Sequence, residues 1–136
     1  QVRPASNGAR CMLTNERKPI IMPKCRFSFS ELEVMEAVDI IDYGLIIEEG
    51  CFEANDKYAS IPYDITVAYA LAVLMKSSIN SIYVVGFDGY AESDVRQLEM
   101  IEILNLYSNS EASVEITALT PTTYPVRKGS VYAPIS

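Results

Sequence analysis

Apolar segments typical of helices and of strands alternate between residues 65 and 119. Residues 65–75 are apolar almost all round, which predicts a helix buried on several sides. Residues 82–86 are continuously apolar, as central parallel strands are. Residues 94–107 predict a second helix, and the alternation along residues 114–119 predicts a half-buried strand. Helix, strand, turn and helix in this order form the repeating unit of an open α/β sheet.

The predicted helix at residues 94–107 carries apolar side chains on two sides. One stripe consists of Met100, Ile103, Leu104 and Tyr107, and a roughly opposite stripe consists of Val95, Leu98 and Ile101. Only one of these stripes can face the sheet. The other needs a second neighbour, for which a missing domain or another subunit are the two alternatives.

The first half of the chain predicts shorter elements. The proline-bounded run at residues 19–23 suits a short or edge strand. Ser30 and Glu33 have the spacing of a capping box, with serine at the N-cap of a short helix. Residues 42–47 read as a strand. Residues 51–62 contain turn formers and predict an irregular connection, long enough to be functional.

Together these segments predict an α/β fold, specifically a Rossmann-like, mainly parallel open sheet flanked by helices. Residues 1–10 form an irregular N-terminal segment, and residues 11–136 form a single domain that begins with a short strand at residues 11–13. Asp64 is the expected cap of the buried helix. We expect that helix, at residues 65–75, to pack on a sheet whose neighbouring strands are residues 43–47, 82–86 and 114–119.

Composition and charge restrict the class of partner. The chain has 136 residues, the size of one ordinary domain. Its formal net charge is −7 and its basic residues form no cluster, which argues against nucleic acid and anionic membranes as partners. No apolar run reaches the roughly 18 residues that a membrane span requires. The three widely spaced cysteines read as reduced thiols, so we expect a cytoplasmic protein.

The sequence has no histidine, the commonest general base. Its absence excludes a Ser-His-Asp triad and a Cys-His dyad and makes a zinc site improbable. The three cysteines, Cys11, Cys25 and Cys51, have no metal-ligand spacing and read as reduced thiols that act as small buried hydrophobes. Neither of the two glycine-rich phosphate-binding motifs, GxxxxGK(S/T) and GxGxxG, occurs in the sequence. The residues thus predict no catalytic group and no metal ligand.

The sharpest local signal is the turn that follows the strand at residues 82–86. Gly86 and Gly89 allow the backbone to approach a ligand or to adopt positive φ. Asp88 would accept hydrogen bonds from hydroxyl groups, and Tyr90 would stack on a base or a sugar. The alternative is a tight turn in which Asp88 only binds backbone N–H groups. The sequence leaves both interpretations open.

A second loop is expected beside this turn. Thr120, Thr122 and Tyr124 follow the last strand. If the two strands are parallel, both loops leave the same end of the sheet, where ligands of such folds bind. The hydroxyls would then contact a sugar or a phosphate, and Tyr124 would add a second stacking face. A solvated connector is the alternative interpretation of this loop.

Residues 61–90, with Pro62 and the turn Gly86-Phe87-Asp88, resemble the second half of the Rossmann-like fold of bacterial sialyltransferases. The resemblance implies a domain that binds a nucleotide sugar of the CMP-sugar type. The histidine that serves as the base in that family has no counterpart in this chain. The resemblance therefore gives the alternative function, a glycosyltransferase-like binding domain.

A closer resemblance covers most of residues 11–133. The segments 83–90, 94–100 and 119–124 are similar to the C-terminal domain of bacterial aldolase-like proteins, whose N-terminal barrel resembles those of 4-hydroxy-2-oxovalerate aldolase and HMG-CoA lyase. The resemblance implies an accessory domain that binds a small ligand or contacts other domains or subunits. Its partners would be the N-terminal barrel of the same chain and a possible second copy in a homo-oligomer.

The same resemblance implies where the chemistry of the parent protein would lie. The barrel would hold the divalent metal and carry out the aldol reaction, so no cofactor is expected in this part of the chain. The sequence starts with Gln1 rather than methionine, which favours a fragment of a longer protein. We expect no aldolase or glycosyltransferase turnover from the fragment alone.

Overall fold

In the computed structural model, which describes residues 18–132, the chain divides between Gly44 and Leu45 into two units. Each unit mixes helices with strands, so the chain is an α/β protein. The expectations for residues 1–10 and for the strand at residues 11–13 lie outside the described residues.

The first unit contains a parallel pair of strands. Strand β1, Ile20–Met22, pairs with β2, Ile40–Asp42, and Ile20 lies opposite Ile40. This confirms the strand predicted at residues 19–23. The connection holds a 3-10 turn at Lys24–Arg26 and helix α1 at Phe29–Val34. The carboxylate of Asp42 accepts a hydrogen bond from the Lys24 N–H at 2.9 Å and so ties the start of this connection to β2.

Helix α1 begins two residues earlier than predicted. Ser28, rather than Ser30, is the N-cap: its hydroxyl accepts a hydrogen bond from the Glu31 N–H, and the Glu31 carboxylate accepts one from the Ser28 N–H. The S-x-x-E spacing occurs twice in this segment, and the upstream copy forms the capping box. Ser30 therefore lies inside the helix.

The strand predicted at residues 42–47 is interrupted. Strand β2 ends at Asp42, and β3 runs over Gly44–Ile47. Between them the Tyr43 N–H donates to the Met22 carbonyl at 3.2 Å, and the Tyr43 side chain is buried.

The second unit opens with a β-hairpin where the sequence predicted an irregular connection. Strands β4, Glu53–Ala54, and β5, Tyr58–Ile61, are antiparallel, and the sheet order is β3-β5-β4. The Asn55 side chain shapes the turn, since its Oδ1 accepts from the Lys57 N–H at 2.8 Å and the Tyr58 N–H at 2.9 Å. The expectation of a loop over residues 51–62 was wrong, because turn formers here join two short strands.

The apolar helix is present as α2, Thr66–Met75, and it buries Ala68, Leu71 and Ala72. Its N-cap is Ile65, which makes no side-chain capping bond, so the expectation that Asp64 caps the helix was wrong. Alanines at buried positions allow close packing, and α2 packs against β4 and β5.

A parallel sheet completes the second unit, with strand order β6-β7-β8. Strand β6, Ile82–Val84, pairs with β7, Ile116–Ala118, and Ile82 lies opposite Ile116. Strand β8, Arg127–Lys128, pairs in parallel with β7. The expected neighbourhood of the strands at 82–86 and 114–119 is confirmed. The expected third neighbour was wrong, because β3 pairs with β5 in the other sheet of this unit.

Helix α3, Val95–Ser108, connects β6 to β7. Of its two predicted apolar stripes, the one formed by Met100, Ile103, Leu104 and Tyr107 is buried. The Tyr107 hydroxyl donates to the Val114 carbonyl and accepts from the Val114 N–H, each at 2.8 Å, which fixes the entry to β7. On the opposite side, Val95 is 63% and Leu98 56% exposed.

The described strands thus form three small sheets rather than one mainly parallel sheet. Within residues 18–132, no helix combines the length and the apolar character needed to cross a bilayer.

Candidate functional site

The two predicted loops meet at the carboxyl ends of β6 and β7. Because these strands are parallel, the chain leaves both of them at the same edge of the sheet. The Leu119 N–H donates to the Val84 carbonyl at 2.9 Å, which extends the pairing of the two strands. The Gly86 N–H then donates to the Thr120 Oγ1 at 2.9 Å. We call residues 86–90 the first loop and residues 120–124 the second loop.

The backbone of Asp88 joins the first loop to the second. Its carbonyl accepts hydrogen bonds from the Thr123 N–H at 2.8 Å and from the Thr123 hydroxyl at 3.1 Å. The Asp88 carboxylate is exposed and makes no hydrogen bond or ion pair to any residue in the range 18–132. The turn is therefore held by the carbonyl of Asp88, and its carboxylate is left for other partners.

Gln97 bridges the two loops, although nothing in the sequence analysis singled it out. Its side chain is only 3% exposed. Its Oε1 accepts from the Tyr90 N–H at 2.8 Å, and its Nε2 donates to the Thr123 Oγ1 at 3.1 Å. The sequence feature that could have identified Gln97 is its position three residues after the N-cap Asp94. Glutamine side chains at this position commonly turn back towards preceding backbone N–H groups.

Gly89 is required at the junction of the loops. Its φ of 98° lies in the region that side chains disfavour. A Cβ at this position would lie 1.9 Å from the Thr123 Oγ1 and 3.1 Å from the Gln97 Oε1. Only a residue without a side chain allows the second loop and Gln97 to approach so closely.

The joined loops border a cavity of about 480 Å³. Five of the seven predicted site residues are among those that line it, and the lining residues are Ile65, Val67, Gly86, Phe87, Asp88, Gly89, Tyr90, Arg96, Glu99, Met100 and Tyr124.

Of the other two predicted site residues, Thr120 joins the two loops and Thr122 acts within the second loop. The Thr120 hydroxyl oxygen accepts from the Gly86 N–H at 2.9 Å, and the Thr122 hydroxyl oxygen accepts from the Tyr124 N–H at 3.1 Å. In the described structure neither threonine lines the cavity. Their hydroxyls are thus engaged in positioning the backbone around it.

Aromatic rings form part of the cavity wall. The rings of Phe87 and Tyr124 contact each other, with centroids 4.6 Å apart and planes tilted by 49°. The Arg96 guanidinium carbon lies 4.0 Å from the centroid of the Tyr90 ring, a cation–π arrangement. Burial raises the pKa of the Tyr124 phenol, which keeps it protonated at neutral pH.

Among residues 18–132, Arg96 supplies the one guanidinium that lines the cavity, and it is paired with the N-cap residue of α3. Arg96 Nε donates to Asp94 Oδ1 at 3.0 Å, and Nη2 donates to Oδ2 at 2.7 Å. The side chain and then the backbone N–H of Arg96 lower the pKa of Asp94 to about 2. This bidentate pair fixes the guanidinium against Tyr90 and compensates its charge.

A second, larger cavity of about 650 Å³ lies near the β4–β5 hairpin and the C-terminal end of α3. Cys51 lines it, and burial, followed by the nearby Glu53, raises the pKa of its thiol. Cys51 and Cys25 are both free thiols. Cys25 is exposed, so its expected role as a buried hydrophobe was wrong, and Cys11 lies outside the described residues.

Comparisons of this chain with protein-family models, with curated proteins and with solved structures found no match. The site is therefore interpreted from its own geometry.

Proposed function

We propose that this chain is a small-ligand-binding α/β domain that does not itself catalyse a reaction. The observation that carries the proposal is the cavity at the carboxyl ends of β6 and β7, bordered by two loops that hydrogen bonds lock together. A preformed concave wall of apolar and aromatic side chains with a few polar groups is typical of small-molecule sites. The unengaged carboxylate of Asp88 is the polar group best placed to recognise a ligand.

The chemistry of the lining residues supports binding rather than turnover. A general base at neutral pH needs a pKa near 7 and a position within hydrogen-bond reach of the substrate. The Tyr124 phenol has its pKa raised by burial, which moves it further from that value. Arg96, the residue that would stabilise a developing anion, is already paired with Asp94.

The proposal extends to the family that the sequence resembles. The parallel β6–α3–β7 unit supports, at the level of local topology, a Rossmann-like accessory domain C-terminal to an aldolase-like barrel. The exposed Val95 and Leu98 on α3 would contact that barrel or a second copy of the chain. In this proposal the parent protein is a cytoplasmic lyase whose barrel carries the metal.

A nucleotide sugar is the competing ligand, as the sialyltransferase resemblance implies. The Tyr90 ring would stack on the base, and Asp88 would accept hydrogen bonds from the ribose hydroxyls. Against this, the cavity has no guanidinium or ammonium group, among residues 18–132, that is free to receive a diphosphate. The experiment that tests the proposal must therefore include nucleotides.

The test is a ligand screen followed by amide chemical shifts. Purified protein is titrated with CMP, UDP, CMP-sialic acid, simple phosphosugars, neutral sugars and small amines. We expect at least one class to shift the amide resonances of Gly86, Gly89 and Tyr90 at saturable concentrations. In Asp88→Asn the affinity should fall while the melting temperature stays nearly unchanged, because the Asp88 carbonyl holds the turn.

The opposite pattern contradicts the proposal. A variant Asp88→Asn with a clearly lower melting temperature and unchanged ligand affinity would assign Asp88 a purely structural role. A panel that leaves these amides unshifted would remove the ligand-binding function. Steady release of CMP from a CMP-sugar, abolished in Asp88→Asn, would replace it with transferase activity.

A further inference from the structure

The cavity beside the two loops has an excess of negative charge. Asp88 and Glu99 line it together with Arg96, and the Arg96 guanidinium is paired with Asp94, so three carboxylates and one guanidinium lie at or next to the cavity. Neither Asp88 nor Glu99 makes a hydrogen bond or an ion pair with another of the residues in the range 18–132. The guanidinium charge is balanced by Asp94, so these two carboxylates carry the uncompensated charge.

A buried hydroxyl at the same cavity also lacks a partner. Tyr124 is 4% exposed and lines the cavity, and in the described part of the chain its hydroxyl makes no hydrogen bond. Its ring contacts that of Phe87, which lines the same cavity. Buried polar groups are nearly always hydrogen-bonded, so a molecule in the cavity, water or a ligand, supplies the partner of this hydroxyl.

The remaining wall is apolar. Phe87 and Met100 line the cavity together with Ile65 and Val67 from the start of α2. An apolar ligand body buried against such a wall gains roughly 25 cal/mol for each Å² removed from water. The site thus combines an apolar surface with oxygen atoms to which no residue in the range 18–132 donates a hydrogen bond.

We propose that the site binds a small organic ammonium ion with an apolar body. The inference rests on the proposed function and names the chemical class of its ligand. The ammonium group donates hydrogen bonds to the carboxylate of Asp88 and to the oxygen of Tyr124, and Glu99 adds a second negative charge. The apolar body packs against Phe87 and Met100. Arg96 stays on the Tyr90 ring, with its charge balanced by Asp94.

One feature of the cavity favours the opposite charge. The N-terminus of α2 borders it through Ile65 and Val67, and a helix N-terminus carries a partial positive charge of roughly half a unit. The two uncompensated carboxylates outweigh this partial charge. An anion therefore belongs in the test as the competing ligand, not in the proposal.

The test compares three probes of nearly equal shape. Phenethylamine, 2-phenylethanol and 3-phenylpropionate differ in the charge of their polar end, which is positive, neutral and negative at pH 7. Each is titrated into the full chain, and binding is followed by the amide shifts of Gly86, Gly89 and Tyr90. We expect phenethylamine to bind about tenfold more tightly than 2-phenylethanol, since a charged hydrogen bond contributes roughly 1.5 kcal/mol.

Two variants that each remove one negative charge separate the effect of the site from the effect of the protein's overall charge. Asp88→Asn should remove most of the preference for the amine. Glu111→Gln should leave it unchanged, because Glu111 lies beyond the C-terminal end of α3, and that end is about 12 Å along the helix from the cavity residue Met100. Raising the salt concentration should weaken the binding of phenethylamine and leave the binding of 2-phenylethanol unchanged.

The outcomes distinguish a failure of this inference from a failure of the proposed ligand-binding function. Equal or tighter binding of 2-phenylethanol or 3-phenylpropionate at these amides overturns the ammonium class and leaves a ligand site. An amine preference that persists in Asp88→Asn also overturns it. If neither these probes nor the nucleotide and sugar panel shift the amides, the ligand-binding function itself is wrong.

Discussion

Single residues decide whether the two loops form one site. Gln97 is the main example, because its side chain bonds to both loops. Its buried side chain accepts from the Tyr90 N–H and donates to the Thr123 hydroxyl. Truncation to alanine leaves a partly buried N–H without a partner, which costs about 2 kcal/mol. We therefore expect Gln97→Ala to lower the free energy of unfolding in urea by about that amount.

Asn105→Ala is the control for this prediction. Asn105 is exposed on the same helix, and its substitution should change stability by no more than about 0.5 kcal/mol. The amides of Gly89 and Thr123 should shift in Gln97→Ala and not in the control. Equal stabilities of the two variants would show that Gln97 does not join the loops.

The glycines of the first loop offer a matched pair at residue scale. Gly86 and Gly89 both have positive φ, at 68° and 98°. A Cβ at Gly86 would meet no atom within 4 Å, so Gly86→Ala should cost only the backbone strain of roughly 1 kcal/mol. A Cβ at Gly89 would collide with Thr123 Oγ1, so Gly89→Ala should cost roughly 3 kcal/mol from strain and overpacking together.

Urea denaturation of both variants measures the difference between the glycines. The double variant Gly89→Ala with Thr123→Ala removes the colliding oxygen and should recover part of the loss. Similar losses for Gly86→Ala and Gly89→Ala would contradict the close approach of the second loop.

The sequence allowed five of the cavity residues to be predicted and missed the residues that hold them. Glycines, an acid and aromatics after an apolar strand are visible as a pattern, because ligand loops follow the carboxyl ends of parallel strands. Gln97, Arg96 and Glu99 are on a helix, where polar residues are ordinarily solvent-exposed. The burial of Gln97 and the places of Arg96 and Glu99 at the cavity depend on how α3 meets the loops, which no local pattern encodes.

At the scale of elements, helices with a strong apolar periodicity were predictable from the sequence, and short elements were not. Helices α2 and α3 were predicted within about one residue, because their apolar faces are long. The β4–β5 hairpin was missed because its strands have only two and four residues, and its turn residues resemble those of a loop. The capping box of α1 was placed at the wrong serine, because two serines share the same spacing to a glutamate.

The cap of α3 predicts how stability depends on pH. Arg96 lowers the pKa of Asp94 in the folded state to about 2, from an ordinary value of 3.8. The ionised carboxylate therefore stabilises the fold fully above about pH 4, and this contribution is lost as the pH falls towards 2. Asp94→Asn keeps a side-chain acceptor for the helix N-terminus but lacks the charge.

We expect the stability difference between the wild type and Asp94→Asn to be constant from pH 7 to pH 5 and to shrink between pH 4 and pH 2. Urea unfolding at each pH measures it, and the side-chain carboxyl resonance of Asp94 should titrate near pH 2. Glu92→Gln removes a carboxylate two residues away and should not reproduce the effect. A difference that stays constant down to pH 2 would mean that Asp94 and Arg96 do not interact in solution.

At the scale of the whole molecule, the buried apolar side chains are distributed unequally. Of the core residues in the described structure, Met22 and Tyr43 precede Leu45, whereas those from Phe52 to Tyr124 follow it. Helices α2 and α3, the two sheets that contain β3 to β8, and the candidate site all lie from Gly44 onwards. The sequence predicted one domain over residues 11–136, because composition alone does not show where a core ends.

This distribution predicts that the fragment 45–136 folds without the first unit. Its own core accounts for most of the buried apolar surface, and chains longer than about 40 residues are able to fold alone when they have one. We expect a single cooperative urea transition, and amide shifts at Gly86, Gly89 and Tyr90 close to those of the full chain. The fragment 63–136, which lacks β3, β4 and β5, should not fold, because α2 then loses the strands on which it packs. If the fragment 45–136 is unfolded while the full chain unfolds in one transition, the two units form a single cooperative domain, as the sequence alone predicted.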